Sequence, residues 1–311
     1  MSSKPSVSFV IVNWNGKDVL RECLDSVYAL RYPVREIVVV DNGSVDGSVE
    51  MVLRDDPSVT VIKNDRNMGL PIAKNQGMLQ AVQNGADYLY ALDNDLTIAP
   101  DAVDQAMRVM ESDPKIAMVG SLIFNQDRPN VIFSAGHIIN WSQNLVKTLG
   151  ANEIFDGQFK DAWDVDYVGG GALLVRSAYV KKNGYFDESL IGYGYDDTEY
   201  GYRAKKLGYR VVCCANSHVW HRAHSGIGRY SFKKKYMETR NAVRFMKKHA
   251  NVMNWCKYLS YLLPGFIYAF FKEGLKGNMP GVIGKFRGFI DGLRNKDDLM
   301  YELLEEKPKS S

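Results

Sequence analysis

Short apolar runs rich in β-branched residues, most of them ending on Asn or Asp, set the strongest limit on how this chain can fold. Val7 to Val12 and Ile37 to Val40 are nearly continuous runs, as expected of strands covered on both faces, and Val59 to Ile62 and Tyr88 to Leu92 follow. Between the first two, Leu20, Cys23, Leu24, Val27 and Tyr28 recur at helical spacing, and Leu79 and Val82 continue a similar stripe later. The order strand, helix, strand, helix predicts a parallel, right-handed, doubly wound α/β sheet whose ligand cleft lies beyond the carboxyl ends of its strands. Those ends should then carry chemistry. Asn13-Trp14-Asn15 follows the first run, Asp41-Asn42-Gly43-Ser44 the second and Asp93-Asn94-Asp95 the fourth.

The last of these is the sharpest chemical signal. Alternation along a strand sends positions i and i+2 to one face, so the end of a buried strand presents Asp93 and Asp95 to one hard cation. Two carboxylates and Asn94 are too sparse a cage to saturate Mg²⁺ or Mn²⁺, which leaves positions for water and for the phosphate oxygens of a diphosphate. The same residues fit an Asx-rich turn that caps a helix beginning near Pro100, and the tetrapeptide Leu92 to Asp95 does not separate the two readings.

With 311 residues, 46% of them hydrophobic, the chain can bury one large core or two modest ones. Val7 to Val12 is too brief and wrongly flanked for the centre of a secretory signal, which predicts a cytoplasmic protein. Cys23, Cys213, Cys214 and Cys256 form neither a disulfide framework nor a Cys-x-x-Cys pair, so reduced, buried thiols are expected. The formal net charge of +3 hides an asymmetry: Arg229 to Lys296 holds 15 Lys and Arg against three acids, an excess of +12 that leaves −9 for the rest. Aromatic residues from Trp255 to Phe271 interleave with this charge. The stretch fits an anionic membrane surface or a helical tail with a solvated basic face, and no nucleic-acid partner is expected. Tyr258 to Phe271 is too short to span a bilayer and is broken by Pro264-Gly265, so it is read as lying on the surface.

Several signatures fail. The first strand is followed by Asn13-Trp14-Asn15-Gly16 rather than Gly-x-Gly-x-x-Gly, and no P-loop occurs. Asp93-Asn94-Asp95-Leu96-Thr97 does fit the nucleophile motif of haloacid-dehalogenase-like phosphatases, although that family places it on its first strand. Between Ala117 and Arg176 the pattern is less regular, with strand candidates Ala117 to Phe124 and Ala172 to Val175, and Gly169-Gly170-Gly171 lets backbone approach something closely. A second acidic cluster, Asp196-Asp197-Thr198-Glu199, opens a helix. Crowded carboxylates repel, which makes at least one a better proton acceptor, while an acidic first turn also suits the helix dipole. His218, His221 and His224 raise the question of zinc, but their spacing and the adjacent Cys213-Cys214 lack zinc-site geometry. One histidine completing the Asp95 site is more economical, and imidazole favours Mn²⁺ over Mg²⁺.

In their order, these residues resemble the inverting family-two glycosyltransferases of the GT-A fold, a nucleotide-sugar-binding, Rossmann-like sheet flanked by helices, and in particular the rhamnosyltransferase-like branch. The likeness runs from Val7 to about His249. It implies a glycosyltransferase domain over 1–249, with a nucleotide-binding half at about 1–98 and an acceptor half at about 99–249, and a helical basic and aromatic extension at 250–311. In that family the first two strand ends hold the base, which implies that Asp41 accepts the imide N–H of uracil or thymine with Asn13 and Asn15 nearby. Asn67-Met68-Gly69 and Ala73-Lys74-Asn75-Gln76-Gly77 resemble the next segment, placing Lys74 and Asn75 near the nucleotide. Asp93-Asn94-Asp95 resembles the Asp-x-Asp motif, implying Asp95 as metal ligand and Asp93 near the ribose and metal, with Asn94 between them. Gly170 and Gly171 resemble the loop under the sugar and acceptor. Asp196-Asp197 stands where many relatives have Glu-Asp, which nominates Asp197 as base and Asp196 for the acceptor side. His221-Arg222-Ala223-His224-Ser225 resembles a His-basic-x-x-Ser segment and selects His221 as metal ligand; Arg240-Asn241 also matches.

The resemblance implies a hexosyl- or deoxyhexosyltransferase that uses Mn²⁺ or Mg²⁺. It would move a sugar from a UDP- or dTDP-sugar to a hydroxyl of a glycan or lipid-linked glycan, with inversion, and would sit peripherally on the cytoplasmic face of a membrane. The alternatives are an inactive nucleotide-sugar or polyprenyl-phosphate binding protein of the same fold and, more distantly, the phosphatase.

Overall fold

The β-branched runs form one side of a ten-stranded sheet. The computed structural model describes residues 4–142, 145–222 and 231–305, so Ala223, His224 and Ser225 of the quoted segment lie outside the described residues. In chain order the strands are β1 (Val7–Asn13), β2 (Val34–Asp41), β3 (Thr60–Lys63), β4 (Tyr88–Asp93), β5 (Leu96–Ile98), β6 (Ile116–Asn125), β7 (Ile132–Ser134), β8 (His137–Ile139), β9 (Val146–Thr148), β10 (Ala162–Asp164), β11 (Ala172–Arg176) and β12 (Arg210–His221). The helices are α1 (Lys17–Tyr28), α2 (Ser48–Asp55), α3 (Leu70–Gln83), α4 (Ala102–Ser112), α5 (Ser177–Asn183), α6 (Asp196–Lys206), α7 (Phe232–His249), α8 (Val252–Gly274), α9 (Met279–Arg294) and α10 (Asp298–Glu305).

The sheet order is β10-β12-β6-β11-β4-β1-β2-β3, with β5 on β12 and β7 on β6. Strand β1 runs parallel to β2 and β4, β2 to β3, and β6 to β12. Strand β11 lies antiparallel between β4 and β6, so the sheet is mostly parallel but mixed. Both faces are covered. Phe9 and Ile11 enter one core with Leu20 and Leu24 of α1, while Val10 and Val12 enter the other with Ala73 and Met78 of α3. That is why the strands read as continuous rather than alternating apolar runs.

Helix α1 buries Leu20, Cys23, Leu24 and Val27 as the stripe predicts, but Tyr28 is exposed. The later stripe differs more. Leu79 is exposed, and α3 faces the sheet instead through Ala73, Gly77, Met78 and Ala81. The reason is the close approach of helix to strand: a Cβ on Gly77 would lie 2.4 Å from Val10 Cγ1. Cys213 and Cys214 fall in opposite cores, as neighbours on a strand must. All four cysteines are free thiols, but Cys256 is exposed rather than buried, because it lies on the outer side of α8.

The chain divides into two compact units: Met1–Ile138 with Thr148–Phe186 and Tyr200–Ala223, and Ile139–Lys147 with Asp187–Glu199 and His224–Ser311. The division does not fall at residue 249, because α7 packs closely on α9 and so groups with the C-terminal helices. A Cβ on Gly284, Gly288 or Gly292 of α9 would lie 2.4, 2.4 and 2.8 Å from the backbone oxygens of Phe232, Tyr236 and Arg240, so the two helices meet backbone to backbone. Helix α8 is not broken at Pro264-Gly265 but runs through Pro264. The carbonyl that loses its internal donor is that of Ser260, which is exposed, so solvent can take it.

Gly77→Val should destabilise the protein by about 1–3 kcal/mol through overpacking, whereas Leu79→Ala, two positions away on the solvent side, should change stability by no more than about 0.5 kcal/mol. Urea unfolding of the two variants checks this; equal losses would contradict the assigned helix face.

Candidate functional site

Within the first unit the carboxyl ends of β1, β2 and β4 meet, and one buried amide joins them. Asn13 and Asp41 are paired in register at the ends of β1 and β2. The Nδ2 group of Asn13 donates to Asp41 Oδ1 at 3.1 Å and to Ser48 Oγ at 2.8 Å, and its Oδ1 accepts from Asn94 Nδ2 at 2.7 Å. Asp41 Oδ2 accepts from the Ser44 backbone N–H at 2.9 Å. Asp41 is only 3% exposed, and a carboxylate with two donors keeps lone pairs for a third. Asn15, in a left-handed turn at φ 49°, donates its backbone N–H to Ser44 Oγ and accepts the Val45 N–H. Ser44, Asp46 and Ser48 act through turn hydrogen bonds. Burial disfavours the Asp46 charge, but hydrogen bonds from Ser48 and the Lys17 backbone outweigh it and hold its pKa below the usual value.

The two acids of Asp93-Asn94-Asp95 do not share a strand face. Strand β4 ends at Asp93, residues 94 and 95 turn, and the chain continues in β5, which pairs with β12 rather than with β4. Each acid therefore takes a different basic partner. Lys74, buried to 2% exposure, places its Nζ 3.4 Å from Asp93 Oδ1 and 5.5 Å from the centre of the Phe186 ring. Asp95 Oδ2 lies 3.2 Å from His221 Nε2, because β12 sets His221 opposite Leu96. Asn75, expected near the nucleotide, bonds the Phe186 backbone with both ends of its amide.

The Asp95–His221 pair tests the fit of a divalent cation. Among the described residues no group of three or more His, Cys, Asp or Glu side chains forms a metal site, so the described residues offer the Asp95–His221 pair rather than a closed cage. A carboxylate oxygen and an imidazole nitrogen suit Mn²⁺, and His221 Nδ1 is buried without a hydrogen-bond partner. Burial lowers the His221 pKa, but the hydrogen bond to Asp95 and the charges of Asp95 and Asp93 overcome this and raise it. Phe133 packs edge-on against His221 at 4.6 Å, a contact no motif announced. The histidine of the zinc question, His218, instead meets the Ala215 carbonyl.

Gly171 explains the glycine run. A Cβ there would lie 2.5 Å from Asp93 Oδ2, and its carbonyl accepts the Asp93 N–H at 2.9 Å. Gly170 is buried in the same turn, and nothing lies within 4 Å of a Cβ on Gly169.

In the second unit, Asp196 and Asp197 open α6. The chain reaches them through left-handed Gly192, Gly194 and Tyr195, the last a costly conformation for a non-glycine residue. Asn241 of α7 holds that loop. Its Nδ2 faces the carbonyls of Leu190, Ile191, Tyr193 and Gly194 at 3.0 to 3.5 Å, and Arg240 Nη1 donates to its Oδ1 at 2.7 Å. Glu199, fully buried, takes Lys248 at 2.6 Å and His249 at 3.2 Å. Burial opposes the Lys248 charge, yet Glu199 and Asp187 raise its pKa.

The sequence profile of glycosyl transferase family 2 matches residues 8–184, more than half of the chain. Poly-beta-1,6-N-acetyl-D-glucosamine synthase of Staphylococcus aureus strain MSSA476 is 24% identical over 207 residues, 66% of this chain and 47% of that protein. The Staphylococcus epidermidis synthase is 28% identical over 192 residues, 60% of this chain and 43% of its own length. The chain thus spans less than half the length of these curated relatives. Among solved structures, GalNAc-T7 with UDP, GalNAc and Mn²⁺ superposes with a TM-score of 0.64 at 17% identity, covering 99% of this chain and 59% of that one. The mannosyltransferase PcManGT from Pyrobaculum calidifontis, with GDP-Man and Mn²⁺, gives 0.58 at 17% identity over 95% and 89%. S. aureus TarS 1-349 with UDP-GlcNAc gives 0.59 at 16% identity over 92% and 81%. These likenesses establish the GT-A fold.

Asn241→Leu should take the two amide N–H donors from the loop carbonyls they serve, at a cost of about 1–3 kcal/mol, and speed hydrogen exchange in residues 190–195. Thermal unfolding with exchange mass spectrometry reads both; an unchanged midpoint would show that the loop does not need the amide.

Proposed function

This chain belongs to glycosyl transferase family 2, and from that premise we propose that it moves a sugar from a UDP- or dTDP-sugar to a hydroxyl of a glycan or lipid-linked glycan, with inversion at the anomeric carbon. The observation that carries the reading is the meeting of Asn13, Asp41 and Asn94 at the ends of β1, β2 and β4, beside the Asp93–Lys74 and Asp95–His221 pairs. Asp41 would accept the imide N–H of the pyrimidine. Asn13 and Asn94 fix the ends of the strands that carry it. The N-acetylglucosamine polymer in the relatives' name and the UDP-GlcNAc bound by TarS support UDP-N-acetylhexosamines as the first donors to try.

Asp95 and His221 would hold a divalent cation. When bound, it supplies positive charge against the diphosphate that leaves. The Mn²⁺ in two of the structural neighbours supports that assignment. Lys74 neutralises Asp93 and keeps that carboxylate fixed under the glycine turn. Asp197 acts as general base: its carboxylate takes the proton of the attacking hydroxyl. The proton must leave as the new bond forms, and a carboxylate at a helix start is a rigid place from which to take it. The basic C-terminal helices support an acceptor carried at the cytoplasmic face of a membrane.

The haloacid-dehalogenase alternative gives way to the family match, and Asp93 closes the fourth strand of this sheet beside a buried lysine. The inactive binding protein predicts donor binding without release of nucleoside diphosphate.

Asp197→Asn should lower turnover by about 10²–10⁴-fold while donor affinity, measured by calorimetry, stays within a few-fold of the parent; near-normal turnover would remove Asp197 from the reaction. In a nucleoside diphosphate release assay, excess chelator should abolish transfer and Mn²⁺ or Mg²⁺ should restore it. Full activity in chelator would remove the metal role of Asp95 and His221.

A further inference from the structure

Helix α8 has apolar residues on two sides, and only one of them is covered. Its inner side buries Tyr258, Leu262 and Ala269, with Phe266 edge-on to Phe286 and Phe289 of α9 at 6.2 and 6.3 Å. The opposite side repeats at the same helical spacing. Leu263, Ile267, Phe270, Phe271 and Leu275 recur at i, i+4, i+7, i+8 and i+12, and all are more than half exposed; Leu275 reaches 91%. Helix α9 adds exposed Ile283 and Phe286. A water-facing helix has one apolar stripe, so a second stripe of this length marks a surface that something covers.

The charges around the stripe say what covers it. From Val252 to Arg294 there are six Lys and Arg against Glu273 and Asp291. Glu273 accepts the Asn278 amide at 2.8 Å and Asp291 lies 3.6 Å from Arg287, so both acids are engaged within the pair of helices. Lys272 lies over the Tyr268 ring at 5.0 Å and Lys285 over the Phe266 ring at 5.2 Å, which places cations beside the aromatic residues. Two copies meeting through this face would set like charges against each other. An anionic lipid surface offers both an apolar interior for the stripe and negative headgroups for the lysines. Among the described residues no helix is long and apolar enough to cross a membrane.

We propose that the outer face of α8, with Ile283 and Phe286 of α9, is a docking surface for an anionic lipid bilayer, into which Leu263, Ile267, Phe270 and Phe271 insert while Lys272 and Lys276 meet the headgroups. This extends the membrane-borne acceptor proposed above, and vesicle binding can fail without touching transfer to a soluble acceptor.

The test is sedimentation of the full chain with vesicles of phosphatidylcholine alone and of phosphatidylcholine with phosphatidylglycerol. The parent should pellet with the anionic vesicles and much less with the neutral ones. Phe270→Ser with Phe271→Ser should reduce the bound fraction at least about tenfold, since each aromatic ring carries a large apolar area. Lys272→Glu with Lys276→Glu should remove the preference for anionic lipid. Both pairs lie on the surface, so circular dichroism should show an unchanged fold, and nucleoside diphosphate release with a soluble acceptor should continue. Failure of the parent to pellet at low salt, or equal binding by the Phe270→Ser, Phe271→Ser variant, would overturn the proposal. A parent that stays in the supernatant as a dimer, and becomes monomeric in the same variant, would assign the face to a second copy instead.

Discussion

One buried amide sets the geometry at the candidate site. Asn13 sits at the end of β1 with 1% of its surface exposed, and its two functional groups reach Asp41, Ser48 and Asn94. A buried amide left unpaired is expensive, so each of these partners is held where Asn13 needs it. The parallel register of β1 with β2 and β4 makes this possible, because it brings three polar strand ends to one edge of the sheet. The chemistry of the first unit is a consequence of that edge.

What could be read in the residues was local. An apolar run of period two or none, closed by Asn, Asp or Gly, marks a strand and its end whatever it later pairs with. The four opening strands and the polar groups Asn13, Asp41 and Asp93 were legible for that reason. The fate of Asp93-Asn94-Asp95 was not, because it depends on a partner more than a hundred positions away: β5 joins β12, and the turn that allows this sends the two acids to Lys74 and His221 separately. The resemblance picks out Arg240-Asn241, but what Asn241 does was not legible, because its contacts lie about fifty positions back along the chain. Leu79 was misassigned for a different reason. Helix α3 comes so close to β1 that only small residues fit between them, and a stripe search rewards large ones.

In both units several buried charges are held by a counterpart. Lys74 has Asp93, Glu199 has Lys248 and His249, and the guanidinium of Arg240 has Asp297. Such pairs add little net stability, but removing one member leaves the other unpaired, so they hold geometry more than they hold the fold together. In the second unit that geometry is a loop with three left-handed residues leading into Asp196 and Asp197. Strain of this kind persists only where its surroundings impose it, and here the Asn241 amide does so.

The central claim is that the joined strand ends of the first unit bind the pyrimidine nucleotide of the donor. Calorimetric titration of UDP into the parent and into Asp41→Asn tests it most directly. Asp41 is the group assigned to the imide N–H, so the variant should bind UDP at least about tenfold more weakly, as expected for the loss of a hydrogen bond to a charged acceptor. Equal affinity for the two proteins would contradict the account.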